Sequence, residues 1–149
     1  MQTVKSLLAS KKGIIYSVSQ NSTVFDALAM MAENEIGAVL VIDDNVLQGV
    51  FSERDYARKV VLVGKSSKEI LVRDVMTEKV FIIDGDCQIE ECMKIMTEKR
   101  IRHLPVYENS QLVGVISVGD VIKSVVEEKQ FVINQLEQYI LGGRFIPQK

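Results

Sequence analysis

One seven-residue motif occurs twice in this chain, 65 positions apart, and it constrains the fold more than any other feature. The first copy runs from Gly49 to Asp55 (Gly-Val-Phe-Ser-Glu-Arg-Asp) and the second from Gly114 to Asp120 (Gly-Val-Ile-Ser-Val-Gly-Asp). In each copy an apolar run ends at a serine and a helical apolar pattern follows, which predicts a strand that leads directly into a helix. Residues 16–62 and 81–127 align around the motif without a gap, with 11 identities in 47 positions, so the chain is predicted to use one structural repeat twice.

The Ser-x-x-Asp part of the motif has two interpretations. Free N–H groups in the first turn of a helix carry partial positive charge and can hold phosphate or hydroxyl oxygens, which favours a nucleotide site. A serine at the N-cap with an acid three residues later is also close to a capping box, which needs no ligand. The sequence leaves both interpretations open for Ser52 with Asp55 and for Ser117 with Asp120, although the duplication favours a site.

Each repeat is predicted to have the order β-α-β-β-α. Apolar residues recur at helical spacing from Val24 to Met31 and from Ile89 to Met96, so each segment is predicted to be an amphipathic helix whose methionines fill the core. Two short strands separated by a polar turn follow each helix. Because one sheet cannot bury both of its faces alone, we expect an α+β fold in which the two repeats pack sheet against sheet with pseudo-twofold symmetry. Both Ser-x-x-Asp segments would then lie at a shared central cleft.

Segments outside the repeats complete the predicted domain organisation. The first repeat, with an amphipathic N-terminal lead-in, covers residues 3–64, and a linker at 65–79 contains a similar lead-in for the second repeat at 80–127. Residues 128–149 hold an amphipathic helix, expected to end at Gly142-Gly143, and a frayed tail. The apolar residues of this helix need a surface to lie on, either on the same chain or on a second copy.

Composition argues against several classes of protein. With 149 residues, 47% of them hydrophobic, the chain can bury a core. A net charge of -2 gives no general basic surface for nucleic acid, although a local basic patch remains open. Uninterrupted apolar runs such as residues 38–42 are far below the roughly 20 residues that cross a bilayer, and no secretory leader is recognised. We therefore expect a cytoplasmic protein without a membrane partner.

Few residues in the chain could carry out catalysis. Cys87, Cys92 and the single histidine, His103, are too few for a zinc site, and they do not form the set of a nucleophilic enzyme. No glycine-rich phosphate loop is recognised. We therefore expect no metal and no enzymatic activity. Cys92 is interpreted as a small buried thiol and Cys87 as a residue at the start of a helix.

The repeat resembles the CBS domain, named after cystathionine β-synthase, and the two copies resemble the tandem pair called a Bateman module. The resemblance covers about residues 3–127. Four segments carry it together: Gly-Val-Phe-Ser-Glu-Arg-Asp-Tyr-Ala-Arg-Lys-Val at 49–60, Arg-Asp-Val-Met-Thr at 73–77, Arg-Ile-Arg-His-Leu-Pro-Val at 100–106, and Gly-Val-Ile-Ser-Val-Gly-Asp at 114–120. Together these segments identify the chain as resembling stand-alone CBS-domain proteins.

The resemblance implies a regulatory module that binds an adenosyl ligand between its repeats and has no catalytic cofactor. The expected ligands are AMP, ADP, ATP, NAD(H) or S-adenosylmethionine. By the family pattern the ribose hydroxyls donate to an aspartate, here Asp55 in one site and Asp120 in the other, and two carboxylate oxygens suit two donors. The family also places phosphate or base near the serine and near the residue before the aspartate, here the pairs Ser52 with Arg54 and Ser117 with Gly119.

The two implied sites differ around the phosphate. Family members more often have a hydroxyl residue just before the aspartate, whereas here Arg54 could bind a phosphate bidentately and Gly119 only permits close backbone approach. Arg102 and His103 lie where the family often places a basic phosphate contact, and their counterparts in the first repeat are a glycine and an alanine. A solvated charge at Arg102 and a half-buried polar residue at His103 are the alternatives.

The resemblance also implies an adenine contact and a dimer. The adenine ring would stack among aliphatic side chains near Ile15, Val80 and Pro105. CBS pairs resemble flat discs that commonly dimerise through their helices. We therefore expect the two repeats to pack as such a disc, and two chains to form a homodimer to which the C-terminal helix contributes. The module would pass the state of its ligand to a separate effector protein that the sequence does not identify. A ligand-free scaffold or dimerisation module is the alternative, since each Ser-x-x-Asp could be only a helix cap.

Overall fold

The structure, a computed structural model of the chain, describes residues 2–11 and 14–141. These residues form two compact units. The internal unit consists of residues 14–82, and the terminal unit combines residues 2–11 with residues 83–141. The expected helix end at Gly142-Gly143 and the tail that follows lie outside the described residues.

The helices and strands are short except for the last helix. In chain order the described residues contain α1 (Val4–Ser10), β1 (Ser17–Val18), α2 (Val24–Asn34), β2 (Ala38–Asp43), β3 (Val46–Ser52), α3 (Glu53–Tyr56), β4 (Ile83–Asp84), α4 (Ile89–Lys99), β5 (His103–Glu108), β6 (Gln111–Ser117) and α5 (Val118–Ile140). A π-helical turn, Ala57–Val61, continues α3, and a 3-10 turn, Val72–Asp74, lies between that turn and β4. The predicted C-terminal helix is the second half of α5, because no glycine or proline interrupts the helix after Gly119.

The two units share one topology, which confirms the predicted β-α-β-β-α order. In each described sheet a two-residue strand pairs parallel with the middle strand, which pairs antiparallel with the third strand. Both antiparallel pairs shift register at equivalent positions, after Val41 and after Val106. Both hairpin turns place two residues in the left-handed region, Asp44-Asn45 and Asn109-Ser110, as short hairpins with the right twist require. One structural repeat is therefore used twice.

Apolar stripes of α2 and α4 enter the core of their own units. Met31 and Met96 are both buried, so the prediction that these methionines fill the core is confirmed. Phe51 and Ile116, which precede the motif serines, have no exposed surface. Burial of this apolar surface fixes the strands that end at the two serines, and hence the positions of the helix starts that follow.

The lead-in segments pack on the two motif glycines. In the internal unit, a Cβ atom on Gly49 would lie 2.6 Å from the carbonyl oxygen of Thr77. In the terminal unit, a Cβ atom on Gly114 would lie 2.9 Å from Cδ2 of Leu8. Glycine is therefore needed at both positions because another part of the chain lies close to it. At Gly49 that neighbour is backbone, and at Gly114 it is a flexible side chain.

The lead-ins are grouped differently from the domain boundaries expected from sequence. α1 belongs to the terminal unit with the second repeat, and residues 65–82 belong to the internal unit with the first repeat. Backbone hydrogen bonds account for this grouping. The Val4 N–H donates to the Cys87 carbonyl at 2.8 Å, and the Thr77 N–H donates to the Val50 carbonyl at the same distance. The N-terminal lead-in thus packs on the second repeat, and the lead-in that precedes the second repeat packs on the first.

Candidate functional site

Both Ser-x-x-Asp segments form complete capping boxes. At the start of α3, Ser52 Oγ accepts from the Asp55 N–H at 3.3 Å, and the Asp55 carboxylate accepts from the Ser52 N–H at 3.0 Å. At the start of α5 the equivalent distances between Ser117 and Asp120 are 3.1 Å and 2.8 Å. The capping geometry expected from sequence is therefore present in both units. It holds each carboxylate at the N-terminus of a helix.

Asp55 is buried, with 8% of its surface exposed, and both of its carboxylate oxygens are occupied. Oδ2 accepts from the N–H and the hydroxyl of Ser52. Oδ1 accepts from Thr77 Oγ1 at 3.1 Å and lies 3.1 Å from Lys59 Nζ. The same ammonium donates to the Val75 carbonyl at 3.0 Å. Hydrogen bonds and charge thus compensate for the burial of this carboxylate.

Asp120 is less buried than Asp55, and the hydrogen bonds that its carboxylate accepts from described residues are to Oδ2. Oδ2 accepts from the Ser117 N–H and lies 2.6 Å from Lys11 Nζ, which also donates to the Val115 carbonyl at 3.2 Å. Within the part of the chain that the structure describes, no donor contacts Oδ1. Burial alone would raise the pKa of Asp120, but the Lys11 ammonium and the Ser117 N–H together hold that pKa below its usual value. Asp120 is therefore an ionised acceptor at neutral pH.

Positive charge gathers beside Asp120. His103 begins β5 and lies opposite Ser117 in the sheet register, and the exposed Arg102 precedes it. Desolvation lowers the pKa of His103, the charges of Arg102 and Lys11 lower it further, and the Asp120 carboxylate opposes them. His103 is consequently neutral at pH 7 and half-buried.

The residues before the two aspartates, Arg54 and Gly119, have different surroundings. Gly119 is exposed in the first turn of α5, and a Cβ atom there would meet nothing closer than Ser117 Oγ at 3.6 Å. The N–H of the preceding residue donates to a strand-entry carbonyl in both units, Val118 to Arg102 at 2.8 Å and Glu53 to Gly37 at 3.1 Å. Arg54 is half-buried and makes contacts of its own. Open space beside the first helical turn is therefore a feature of the Gly119 side.

The three residues predicted to contact adenine lie in two units. Ile15 and Val80 are half-buried in the internal unit. Pro105 is buried in β5 of the terminal unit, opposite Val115. Their contact with an adenine ring stays a prediction.

Three residues that contact the carboxylates were not among the predicted site residues. Lys59 follows Asp55 by four positions, a spacing that places two side chains on the same helical face and could have identified the pair. Thr77 lies 22 positions from Asp55, and Lys11 lies 109 positions from Asp120. No local pattern connects these two to their carboxylates, because the lead-ins bring them there through tertiary structure.

Each unit therefore presents one carboxylate anchored at a helix start beside one lysine. Across residues 2–11 and 14–141, no group of three or more His, Cys, Asp or Glu side chains is placed to hold a metal ion. No helix in these two ranges is both long and apolar enough to span a membrane. The arrangement offers ionic and hydrogen-bonding partners for a polar ligand.

Comparisons with known proteins agree with this architecture. The family model described as CBS domain matches residues 8–62 and 72–127. CBSX3, a mitochondrial CBS domain-containing protein of Arabidopsis thaliana, is 36% identical over 145 residues, which cover 94% of this chain and 70% of that protein. A candidate signal-transduction protein with CBS domains from Burkholderia ambifaria is 46% identical with a TM-score of 0.83, over 85% of this chain and 95% of its own. A CBS-domain containing protein from Agrobacterium tumefaciens is 37% identical with a TM-score of 0.79, over 83% and 98%.

Proposed function

The chain belongs to the CBS-domain family and carries two copies of the domain, and from this premise we propose that it is a regulatory module that binds an adenosyl ligand at its Ser-x-x-Asp segments. The observation that carries the proposal is the Asp120 carboxylate. Ser117 holds one of its oxygens, and the other oxygen has no donor among the described residues. AMP, ADP, ATP, NAD(H) and S-adenosylmethionine are the candidate ligands.

The Asp120 carboxylate is proposed to accept hydrogen bonds from the ribose hydroxyls. Oδ1 has two lone pairs available for hydroxyl donors, and the carboxylate is ionised at neutral pH. The phosphates of a nucleotide would then lie near the Gly119 N–H and the positive charges of Lys11 and Arg102. The position of α5 supports this, because the start of a long helix favours an anion. A phosphate there would also favour the protonated form of His103.

Asp55 is proposed to be the weaker site. A ribose hydroxyl could reach Oδ1 only by displacing Thr77 or Lys59, and Oδ2 already has two donors from Ser52. Each displaced donor would need a new partner, which lowers the net gain from binding. Arg54 supplies the phosphate-binding charge on this side in the proposal. We therefore expect the two sites to differ in affinity.

The long helix α5 supports a homodimer as part of the proposal. Its exposed apolar residues include a stripe at helical spacing: Ile122, Val126, Ile133, Leu136 and Ile140. An exposed apolar stripe of this length favours burial against a second surface. We expect the partner to be a second copy of the chain, as the family resemblance implies, with a separate effector protein reading the ligand state. A monodisperse monomer in light scattering at micromolar concentration would contradict the homodimer.

A ligand-free scaffold or dimerisation module is the second candidate function. The complete capping boxes favour it, because they satisfy both serine–aspartate pairs without any ligand. The relatives named above are described by their CBS domains, and this description fits either function. Cytoplasmic localisation and the absence of catalysis remain predictions under both.

Thermal unfolding with a ligand panel separates the two functions. Protein stripped of carried-over ligand is melted with AMP, ADP, ATP, NAD, NADH or S-adenosylmethionine, as wild type, Asp120→Asn and Asp55→Asn. A ligand at about 100 times its Kd should stabilise the wild type by about 2.7 kcal/mol, a shift of several degrees. Asp120→Asn should remove most of this thermal shift, and Asp55→Asn should remove a smaller part of it. No shift with any compound would overturn the proposal in favour of a scaffold.

A further inference from the structure

Cys87 and Cys92 lie side by side in the terminal unit. Cys87 is in the loop that precedes α4, and Cys92 is in the first turns of that helix. Their Sγ atoms are 3.5 Å apart, with Cys87 half-buried and Cys92 buried. A disulfide needs the sulfurs about 2.05 Å apart, so bond formation requires an approach of about 1.5 Å. Cys87 precedes the first residue of α4, so this approach does not require the helix to unwind.

We propose that Cys87 and Cys92 are a redox-modification site that forms a reversible intramolecular disulfide. The inference does not depend on adenosyl binding, because both thiols lie outside the Ser-x-x-Asp segments. Cys92 was interpreted from sequence as a small buried thiol, and it is buried. The sequence separation of five residues did not indicate that the two sulfurs touch. The tight loop before α4 brings them together.

The loop that carries Cys87 also holds the N-terminal lead-in. The Cys87 carbonyl accepts from the Val4 N–H at 2.8 Å, and the Gly85 carbonyl accepts from the Lys5 N–H at the same distance. The Ile89 N–H donates to the Gln2 carbonyl at 3.1 Å. Because α1 begins at Val4 and the Lys11 side chain that follows it contacts Asp120, movement of Cys87 is transmitted along α1 toward that carboxylate.

Disulfide formation needs an oxidant, and a low-molecular-weight disulfide such as glutathione disulfide can act as this oxidant. The Cys87 thiolate, which is the more accessible, attacks one sulfur of glutathione disulfide, breaks its S–S bond and releases one glutathione thiolate. The Cys92 thiolate then attacks the Cys87 sulfur of the mixed disulfide and releases the second glutathione. The two glutathione thiolates take up the two protons that the cysteines lost. The protein loses two electrons and glutathione disulfide gains them.

The environment of the thiols makes the reaction slow at neutral pH. Burial raises the pKa of Cys87, and the carboxylates of Glu91 and Asp84 raise it further, although the Cys92 thiol acts in the opposite direction. Burial and the nearby Cys87 raise the pKa of Cys92 to about 12. Because only the thiolate attacks, the rate of disulfide formation should rise about tenfold per pH unit while the pH is below the pKa values of both thiols.

Mass spectrometry of the full chain tests whether the disulfide forms. The reduced protein is incubated at pH 8 with excess glutathione disulfide, remaining thiols are blocked with iodoacetamide, and intact mass is measured. The wild type should lose two hydrogen atoms, remain a single chain in non-reducing electrophoresis, and react at a rate independent of protein concentration. Cys87→Ser and Cys92→Ala are the matched controls and should retain one blocked thiol or one glutathione adduct. Two blocked thiols, or only cross-linked chains, in the wild type would overturn the proposal.

Amide hydrogen exchange tests the link to α1. In the disulfide form the amides of Val4 and Lys5 should exchange about tenfold faster than in the reduced form, since their acceptors lie in the displaced loop. The amides of α2, in the internal unit, serve as the internal control and should not change. Cys87→Ser treated with the same oxidant should show no acceleration. Unchanged exchange at Val4 and Lys5 in fully oxidised wild type would contradict the link.

Discussion

The two motif carboxylates have the same cap but receive their lysine from different parts of the chain. Asp55 forms an ion pair with Lys59, which follows it by one helical turn. The equivalent of Lys59 in the second repeat is Ser124, which donates to Gln2 Oε1 instead. Asp120 pairs with Lys11, which the N-terminal lead-in delivers. The duplicated sequence therefore reproduces the backbone geometry of the cap in both units, whereas the neighbouring lysine comes from the next helical turn in one unit and from a tertiary contact in the other.

The two lead-ins also differ in how firmly they hold their carboxylate. In the internal unit, Thr77 pairs with Val50 through two backbone hydrogen bonds of 3.0 Å and 2.8 Å, and its hydroxyl reaches Asp55. In the terminal unit, the flexible Lys11 side chain contacts both Val115 and Asp120. A lysine side chain moves more readily than a paired backbone segment, so the surroundings of Asp120 can rearrange more readily than those of Asp55.

The largest expected difference is in the cost of removing each carboxylate. Asp55→Ala should destabilise the protein by about 3 kcal/mol, because it removes a helix cap and a buried carboxylate that accepts from Ser52, Thr77 and Lys59. Asp120→Ala should cost about 1 kcal/mol, close to the loss of a helix cap. Urea unfolding monitored by circular dichroism measures both values. Equal losses would show that the two carboxylates are held alike and would remove the basis of the comparison.

A second contrast comes from the motif glycines. Gly49→Ala should cost about 2 kcal/mol, because the new methyl group would press on the Thr77 backbone oxygen, which is fixed in a paired segment. Gly114→Ala should cost less than about 1 kcal/mol, since the Leu8 side chain can turn away. The same urea titration serves both variants. A greater loss in Gly114→Ala than in Gly49→Ala would mean that the N-terminal lead-in is the more rigid one.

The smallest expected effect is the pH dependence contributed by Lys11. Since the folded-state pKa of Asp120 is lowered, its ion pair stabilises the fold above the unfolded carboxyl value of 3.8, and this contribution is lost as pH falls through the folded pKa. Lys11→Met should therefore lower stability by about 0.5 kcal/mol at pH 7. The difference from wild type should disappear in strong acid.

A matched control for that variant is Lys5→Met. Lys5 lies 3.9 Å from Glu108 and is two-thirds exposed, so its removal should leave stability nearly unchanged at any pH. Stability of wild type and both variants is followed by thermal unfolding from pH 7 down to about pH 1, below the folded pKa of Asp120. A Lys11→Met deficit that persists unchanged in strong acid would show that Lys11 acts by packing and not by charge.

Much of the fold could be predicted because the repeat is encoded locally. Alternating and helical apolar patterns, the polar hairpin turns and the serine caps all act over a few residues, so the element order and both capping boxes followed from sequence. The sequence predicts a domain boundary between residues 127 and 128, where the similarity between the repeats ends. In the structure α5 continues through this position. No helix-breaking residue lies there, so the end of sequence similarity was not a structural signal.

The assignment of the lead-ins and their site contacts could not be predicted from local pattern. Lys11 and Thr77 reach their carboxylates across 109 and 22 positions. Which repeat a short amphipathic segment packs on depends on the path of the chain between the units, and residue spacing does not report that path. Lys59 is the exception, because its four-residue spacing from Asp55 is a local signal. The adenine contacts at Ile15, Val80 and Pro105 remain predictions for the same reason.

Nuclear magnetic resonance of the only histidine tests the central claim most directly. His103 is beside Asp120 and its pKa is lowered, so one imidazole signal reports on this site alone. Saturating ATP should raise the pKa of His103 in wild type and in Asp55→Asn, whereas adenosine, which lacks phosphate, should have little effect. Asp120→Asn should abolish the response to ATP. An unchanged His103 titration in the presence of the ligand that gives the largest thermal shift, or an equal response in Asp120→Asn, would contradict the account.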